Sequence, residues 1–556
     1  MPAGQGAKKG PLGGLINFST ENLAGDFTGG LTAAVVALPL ALAFGVASGA
    51  GPLAGLYGAI FAGFLAALFG GTPAQVTGPT GPMTVVMAGM IAQCTQHPSA
   101  AFTMVFFAGL LQILMWVLKL GRFIRLVPSP VTSGFMSGIG CIIISTQLLP
   151  LSGLPSAPNV VAAIKAWPTI LTQANPHALG LGALALAFCL LTPKQITKRV
   201  PGSLLGLFVG TTLASVMGLN VPLLGHIPTN LPVPIGLSIP PAMIPLIAKN
   251  AVILAVLGAI DSLLTSLVAD AITHTYHDSD KEMLGQGLGN AVAGLFGGIA
   301  SAGATMRTVV NVRAGGRTPL SGAFHACVLL CVVMGFGGAA EKIPLSVLAG
   351  ILVKTGLDVI DFNFIKKLPR LPLSASLVMM TTLTVTVFWD LIVAVAAGCV
   401  VASLILVKEL ADTQIKDCRI VKAQDLENGN NSIDLSLNER NMVLSANGRV
   451  AVVQMHGSFT FSAANGVLRK VLPELENLDG AVLDLSDVNL MDGDSALAIE
   501  EMVNRAGEYD KRLLISGASG EVAPLLDRVG VTEMLPLPPS STREEGLTAL
   551  LAGNGR

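Results

Sequence analysis

Asp261 stands in the middle of an apolar run, LGAIDSLLTSLVAD (Leu257–Asp270), where a carboxylate is costly and marks a functional position. On a helix Thr265 lies one turn further along the same face, whereas Asp270 falls on another face nearer the end. A carboxylate and a hydroxyl so placed suit a hard cation held entirely by oxygen, to which the carbonyls around Gly303 and the hydroxyl of Thr305 can add. The other reading of the same acid is a structural pair with Arg307.

A second chemistry comes from two stretches that resist helix. GTPAQVTGPTGPMTVVM (Gly71–Met87) places prolines, glycines and threonines among membrane-like residues, and GGIASAGATMRTVVNV (Gly297–Val312) repeats the anomaly. In lipid every backbone polar group must be paired internally, so such chain needs a reason to lie there. If each stretch is extended chain leading into a half-helix, two helix N-termini face each other at mid-membrane, starting near Thr80 and near Ala304. Each offers unpaired N–H groups and about half a positive charge, which together suit a small anion. Gly78, Gly81 and Gly303 let backbone approach it closely, and Arg307, in the first turn of the second half-helix, adds positive charge beside it. Small residues also serve plain helix packing. Two anomalies at corresponding places, however, point to a transporter site at the interface of inverted repeats. His325 and Asp390 are read as structural or lid-side residues.

The elements that must position these residues are membrane spans. The chain has 556 residues, 52% hydrophobic and 12% charged, with a mean hydropathy of +0.68, against about a quarter charged in soluble proteins. Apolar runs near 27–48, 53–70, 79–93, 101–120, 130–150, 176–193 and 202–219 are followed by a second set near 247–270, 284–299, 304–312, 320–340, 343–360, 372–389 and 391–407, about fourteen in two sevens. Lys8, Lys9, Arg122, Arg125, Lys194, Lys198, Arg199, Lys281, Arg313, Arg317, Lys366, Lys367 and Arg370 fall in alternate loops, which places both termini in the cytoplasm. Shifting the first half by about 226 residues lays Gly29–Val46 over the run that holds Asp261 and one helix-resistant stretch over the other. Seven cysteines, mostly in apolar runs without metal spacing, read as packing residues, and the N-terminus reads as lacking a cleavable signal.

Past Lys408 strands and helices alternate: strands over 449–461, 480–491 and 512–518, helices over 464–476, 495–510 and 522–530. That is a small α/β domain. The organisation expected is a cytoplasmic N-terminal segment (1–25), a transmembrane transport domain (26–408), a linker (409–440) and a cytoplasmic domain (441–556). No nucleophile with an adjacent base, metal cluster or phosphate loop points to an enzyme, and nothing points to nucleic acid.

Across nearly the whole chain these residues resemble the sulfate permease (SulP) family of anion transporters, which has fourteen spans in two inverted repeats and a C-terminal STAS domain. GDFTGGLTAAVVALPLALAFGVASGAGPLAGLYGAI, GPTGPMTVVM, GAIDSLLTSLVAD and SAGATMRTVVNVRAGGRTPLSG are most similar to the sodium-dependent bicarbonate transporters of cyanobacteria. The resemblance implies that Thr80 and Ala304 hold bicarbonate, with Gly81 and Arg307 beside them, and that Asp261, Thr265, Gly303 and Thr305 hold sodium as the coupling ion, with no other cofactor. It further implies a core domain moving against a gate built from spans five to seven and twelve to fourteen, and a homodimer in the inner (plasma) membrane. The STAS signature of bacterial relatives places a phosphorylatable hydroxyl after an aspartate. Here MDGDSALAI keeps Asp492 but sets Gly493 and Asp494 next, with Ser495 one place late. That loop is therefore expected to be a surface for a cytoplasmic regulator rather than a phosphoswitch, with Asp494 supplying a fixed negative charge.

The expectation is import of bicarbonate coupled to sodium by alternating access. Proton-coupled transport of sulfate or a dicarboxylate is the alternative within the family, and an anion sensor signalling through the STAS domain is the alternative outside transport. Nucleobase and proton symporters use paired glutamates where this chain has Asp261 and Arg307, and they lack a STAS domain.

Overall fold

The computed structural model describes residues 22–552 apart from 125–126, 158, 194–200, 226–232, 238, 390 and 429–432. Lys8, Lys9, Arg125, Lys194, Lys198, Arg199 and Asp390, and nearly all of the N-terminal segment expected over 1–25, lie outside the described residues. Two compact units divide the chain, residues 1–400 and 401–556.

The first unit is helical. Its first half runs α1 (Leu23–Ala47), α2 (Pro52–Phe69), α3 (Gly81–Gln93), α4 (Pro98–Val117), α5 (Ser129–Leu151), α6 (Val160–Gln173), α7 (Pro176–Leu191) and α8 (Gly202–Val216). The second half runs α9 (Ile244–Thr273), α10 (Ser279–Leu295), α11 (Thr305–Arg313), α12 (Pro319–Ala340), α13 (Leu345–Val359), α14 (Leu373–Phe388) and α15 (Leu391–Asp417), the last continuing past the unit boundary at residue 400. Prolines open α2, α4, α7 and α12, where the missing N–H has no intrahelical acceptor to lose. Among the described residues six helices are long and apolar enough to cross a membrane alone. A seventh candidate is α6 with α7, a pair bent by 117°. Several of the remaining elements are short: α3, α8 and α14, and α11 with only nine residues.

Helix contacts come in matched pairs, as an inverted repeat requires. Helix α1 packs on α12 as α4 packs on α9; α11 meets α1 as α3 meets α9; α7 meets α13 as α14 meets α5. Two bundles result, α1–α4 with α9–α12, and α5, α7 and α8 with α13 and α14. The α4–α10 contact depends on bare backbone: a Cβ on Gly109 would come within 2.3 Å of the Ala291 nitrogen, and one on Gly287 within 2.7 Å of the Gly109 carbonyl. Only small residues permit that approach between membrane helices.

Between the repeats lie two strands of two residues each, β1 (Thr77–Gly78) and β2 (Ala302–Gly303). They pair antiparallel, Thr77 opposite Gly303 and Gly78 opposite Ala302, and the Ala304 amide donates to the Val76 carbonyl at 2.9 Å. Each helix-resistant stretch thus satisfies the other's backbone.

In the second unit, β3 (Arg419–Lys422), β4 (Val450–Phe459), β5 (Gly480–Met491) and β6 (Arg512–Ser516) form a four-stranded sheet in that order. Strand β3 is antiparallel and the others parallel. Strand β3 lies within 409–440, the stretch read as a linker. Two apolar clusters back the sheet, one containing α16 (Phe461–Leu475) and α17 (Gly493–Glu508). Asp492 caps both helices: one carboxylate oxygen accepts from the Ser495 amide at 2.9 Å and the other from the Phe461 amide at 2.8 Å. Ser495 is fully buried, whereas Gly493 and Asp494 are exposed.

Burial pushes the Asp492 carboxyl up, but the hydrogen bonds from Phe461 and Ser495 outweigh it and hold the group below the usual carboxylate range. With the folded value below the unfolded one, its stabilisation is complete at neutral pH and is lost as pH falls through the folded value. Asp492→Ala in the full-length protein is expected to speed hydrogen exchange at the Phe461 and Ser495 amides roughly fivefold, a lost cap being worth about 1 kcal/mol. The difference from wild type should shrink in acid.

Candidate functional site

Pairing of β1 with β2 sends the chain into α3 and α11 in opposite directions from one place in the first bundle. Thr80 and Ala304 are the residues just before these helices, both extended, and neither helix start is capped by a side chain. The N–H groups of each first turn are therefore presented where the two stretches meet. Thr80 and Ala304 are buried, so these groups act in a low-dielectric setting where their partial charges count most.

Helix α9 crosses this junction with one face. Asp261, 6% exposed, accepts a 2.6 Å hydrogen bond from the Thr80 hydroxyl on one carboxylate oxygen. The other oxygen has no hydrogen-bond partner among the described residues. One turn on, the Thr265 hydroxyl donates to the Gly303 carbonyl at 2.9 Å and lies 2.8 Å from the Thr305 hydroxyl. Three of the residues read as cation ligands, Thr265, Gly303 and Thr305, thus meet at the β1–β2 junction, with Asp261 one turn away on α9. Thr80, read as an anion ligand, bridges to them through its side chain.

Arg307 does not pair with Asp261. It is buried, and its guanidinium donates to the Pro79 carbonyl, reaching from the second half-helix to the loop that starts the first. Its Nη1 has no hydrogen-bond partner, and a Cβ on Gly78 would lie 2.3 Å from that atom. Gly78 is therefore required by the arginine as much as by any ligand. Asp270 lies off the site, its carboxylate 2.6 Å from His277 Nδ1. His325 is fully buried in α12, with neither ring nitrogen hydrogen-bonded.

Around the junction lies a polar frame that the sequence reading passed over. The Ser262 hydroxyl accepts from the Gly303 amide at 3.0 Å. Asn290 clamps Ser301 through both its amide atoms, at 2.9 and 2.8 Å. The Thr308 hydroxyl accepts from the Val76 amide at 3.0 Å, and Asn311 donates to the Ala74 carbonyl at 2.9 Å. Gln286 donates to the Thr77 hydroxyl at 2.7 Å. A signal for part of this frame was present: Glu282, Gln286 and Asn290 recur every fourth residue on α10, one polar stripe in an otherwise small and apolar helix.

Comparison with known proteins agrees with this architecture. Residues 23–382 match the model of the sulfate permease family, and residues 441–545 match that of the STAS domain. The chain is 40% identical to the bicarbonate transporter BicA of Picosynechococcus sp., over 96% of this chain and 95% of that one. It is likewise 40% identical to BicA of Synechocystis sp., over 93% and 92%. A putative sulfate transporter of Bacillus subtilis, YvdB, is 28% identical over 86% and 88%. Among solved structures, the transmembrane domain of a cyanobacterial BicA matches with a TM-score of 0.64 and 43% identity, covering 68% of this chain and 98% of that one. SLC26A9 shares the fold, with a TM-score of 0.77 at 17% identity, over 96% and 91%.

The two glycines of the site should differ in tolerance. A Cβ on Gly303 would meet Gln75 Nε2 at 2.4 Å and the Ser262 backbone at 3.1 Å, whereas one on Gly81 meets the movable end of Ile143 at 2.7 Å. Gly303→Ala is expected to destabilise the purified protein by roughly 1–3 kcal/mol, and Gly81→Ala by less. Thermal unfolding in detergent checks this, and the reverse order would count against the junction as described.

Proposed function

We propose that this chain, which belongs to the sulfate permease family, imports bicarbonate together with sodium. It is a multi-pass membrane anion transporter with a STAS domain, not an enzyme. The observation that carries the finer reading is the Thr80–Asp261 hydrogen bond. Through it, the residue that opens the first half-helix is tied to the acid on which a cation would sit, so anion and cation share one side chain.

Charge counting gives the mechanism. Without a cation, the Asp261 carboxylate offsets part of the positive potential of the two helix starts and Arg307, and an anion meets a weaker attraction. The free carboxylate oxygen of Asp261, the hydroxyls of Thr265 and Thr305 and the Gly303 carbonyl form an oxygen-only donor set that suits sodium. A bound sodium neutralises the carboxylate. The helix starts at Thr80 and Ala304, the nearby backbone of Gly81 and the charge of Arg307 then favour the anion, and each ion raises the affinity for the other. Loading one cation with one anion leaves the net charge of the site unchanged, and the loaded site crosses the membrane by alternating access as the first bundle moves against the second. The reading includes a homodimer in the inner membrane, both termini cytoplasmic, and a regulator that meets the STAS domain near Asp492–Ala496.

The relatives support bicarbonate over sulfate: the bicarbonate transporters are the more similar, 40% against 28% identical. Uptake of labelled bicarbonate and of sulfate into proteoliposomes, each with and without a sodium gradient, tests both choices; proton-driven sulfate uptake would replace the reading, and binding without flux would make the protein a sensor. In the same assay Asp261→Asn is expected to abolish sodium-dependent uptake. Thr265→Ala should raise the half-saturating sodium concentration roughly tenfold, the worth of one hydrogen bond or ligand. Asp270→Asn should do much less. Sodium-driven uptake at normal rate in a folded Asp261→Asn protein would remove the coupling mechanism.

A further inference from the structure

Glu282, in the first turn of α10, is 1% exposed and makes no ion pair within 4 Å among the described residues. A buried acid must find its partners inside the protein. Its Oε1 accepts from Gln75 Nε2 and from Gln286 Nε2, each at 2.8 Å, and its Oε2 accepts from the Gly71 amide at 3.0 Å. Gln75 is held at its other end too, its Oε1 accepting from the Ser266 hydroxyl at 3.0 Å. The Gln75 amide therefore has no freedom to flip or swing. It lies directly against the α-carbon of Gly303, where a Cβ would be 2.4 Å from its nitrogen.

The Gly303 peptide is thus gripped at three points. Its N–H is taken by Ser262, its α-carbon rests on Gln75, and its carbonyl accepts from Thr265. We propose that Glu282 is a positioning residue for the cation site, acting through Gln75 to fix the Gly303 carbonyl at the orientation in which it can serve as a ligand. This rests on the reading of Asp261, Thr265, Gly303 and Thr305 as the sodium site. A carboxylate suits the task because both its oxygens can accept, and three donors converge on it. It lies on α10, whereas Asp261 is carried by α9, and it is read here as a support and not as a ligand.

The test uses the full-length protein in proteoliposomes, measuring half-saturating sodium and maximum rate of bicarbonate uptake for Glu282→Ala, Gln75→Ala, the double variant and Glu282→Gln. The rise in melting temperature on adding sodium chloride to each protein in detergent gives a readout that does not depend on transport. Each alanine variant should raise half-saturating sodium roughly tenfold with the maximum rate nearly kept. The double variant should be no worse than either single one, because both cut the same chain of contacts. Glu282→Gln keeps an acceptor for Gln75 and loses the one for Gly71, so its rise should be smaller. If Glu282→Ala does not assemble, Gln75→Ala and Glu282→Gln carry the same comparison. Unchanged half-saturating sodium in folded variants, additive effects in the double variant, or a fall in maximum rate alone would overturn the proposal. A wild-type protein whose uptake and melting temperature both ignore sodium would instead refute the sodium site itself.

Discussion

Unpaired backbone in hydrocarbon costs several kcal/mol per group, and the rest of the membrane unit follows from how that cost is avoided at two places. Residues 72–80 and 299–304 cannot be helical, and neither could lie in the bilayer alone. Paired as β1 and β2, with the Ala304 amide on Val76, they close each other's ladder. The pairing fixes where α3 and α11 begin, and it leaves their first N–H groups as the donors still free to meet a ligand. On the function proposed above, the anion is met chiefly by backbone, where the fold brings two such beginnings together.

Side chains complete what two residue pairs of sheet cannot. Asn290, Thr308, Asn311 and Gln286 each take a backbone or hydroxyl group of the interrupted segments. Most of these polar atoms belong to neutral residues, which satisfy their partners without adding charge that would have to be compensated in lipid. The Arg307 guanidinium, reaching Pro79 across the junction, joins the two segments as one rigid piece.

Much of this was legible from composition contrast. An acid in an apolar run and two proline- and glycine-rich stretches at matching positions pointed to this region, and Thr265, Gly303 and Thr305 do meet there, one turn from Asp261. What could not be read was direction. Whether the Thr80 hydroxyl faces the anion or Asp261, and whether Arg307 meets Asp261 or Pro79, depends on side-chain orientation across contacts 181 and 228 residues apart. The α10 stripe was missed because Gln and Asn in a span suggest packing polarity, and only the fold shows what they hold. In the soluble unit the alternating strands and amphipathic helices were legible, whereas β3 was not, since a four-residue edge strand carries too little periodicity.

The register of β1 with β2 places Thr77 opposite Gly303, positions related by the same offset of 226 that relates the repeats, so the pseudo-two-fold axis passes between them. Across that axis the chemistry is unequal. Asp261 has Val35 as its counterpart, Glu282 has Leu56, and Arg307 has Gly81. The scaffold is symmetric while these three charged residues all belong to the second repeat; the first has its own buried acid, Asp26, which accepts from the Arg317 and Thr318 amides. In a machine built from inverted repeats, exchanging the shapes of the two halves turns the molecule inside out, and a perfectly symmetric version would rest equally in both orientations. Here the sequence itself breaks the degeneracy, with a few charged side chains that only the second repeat carries at these positions.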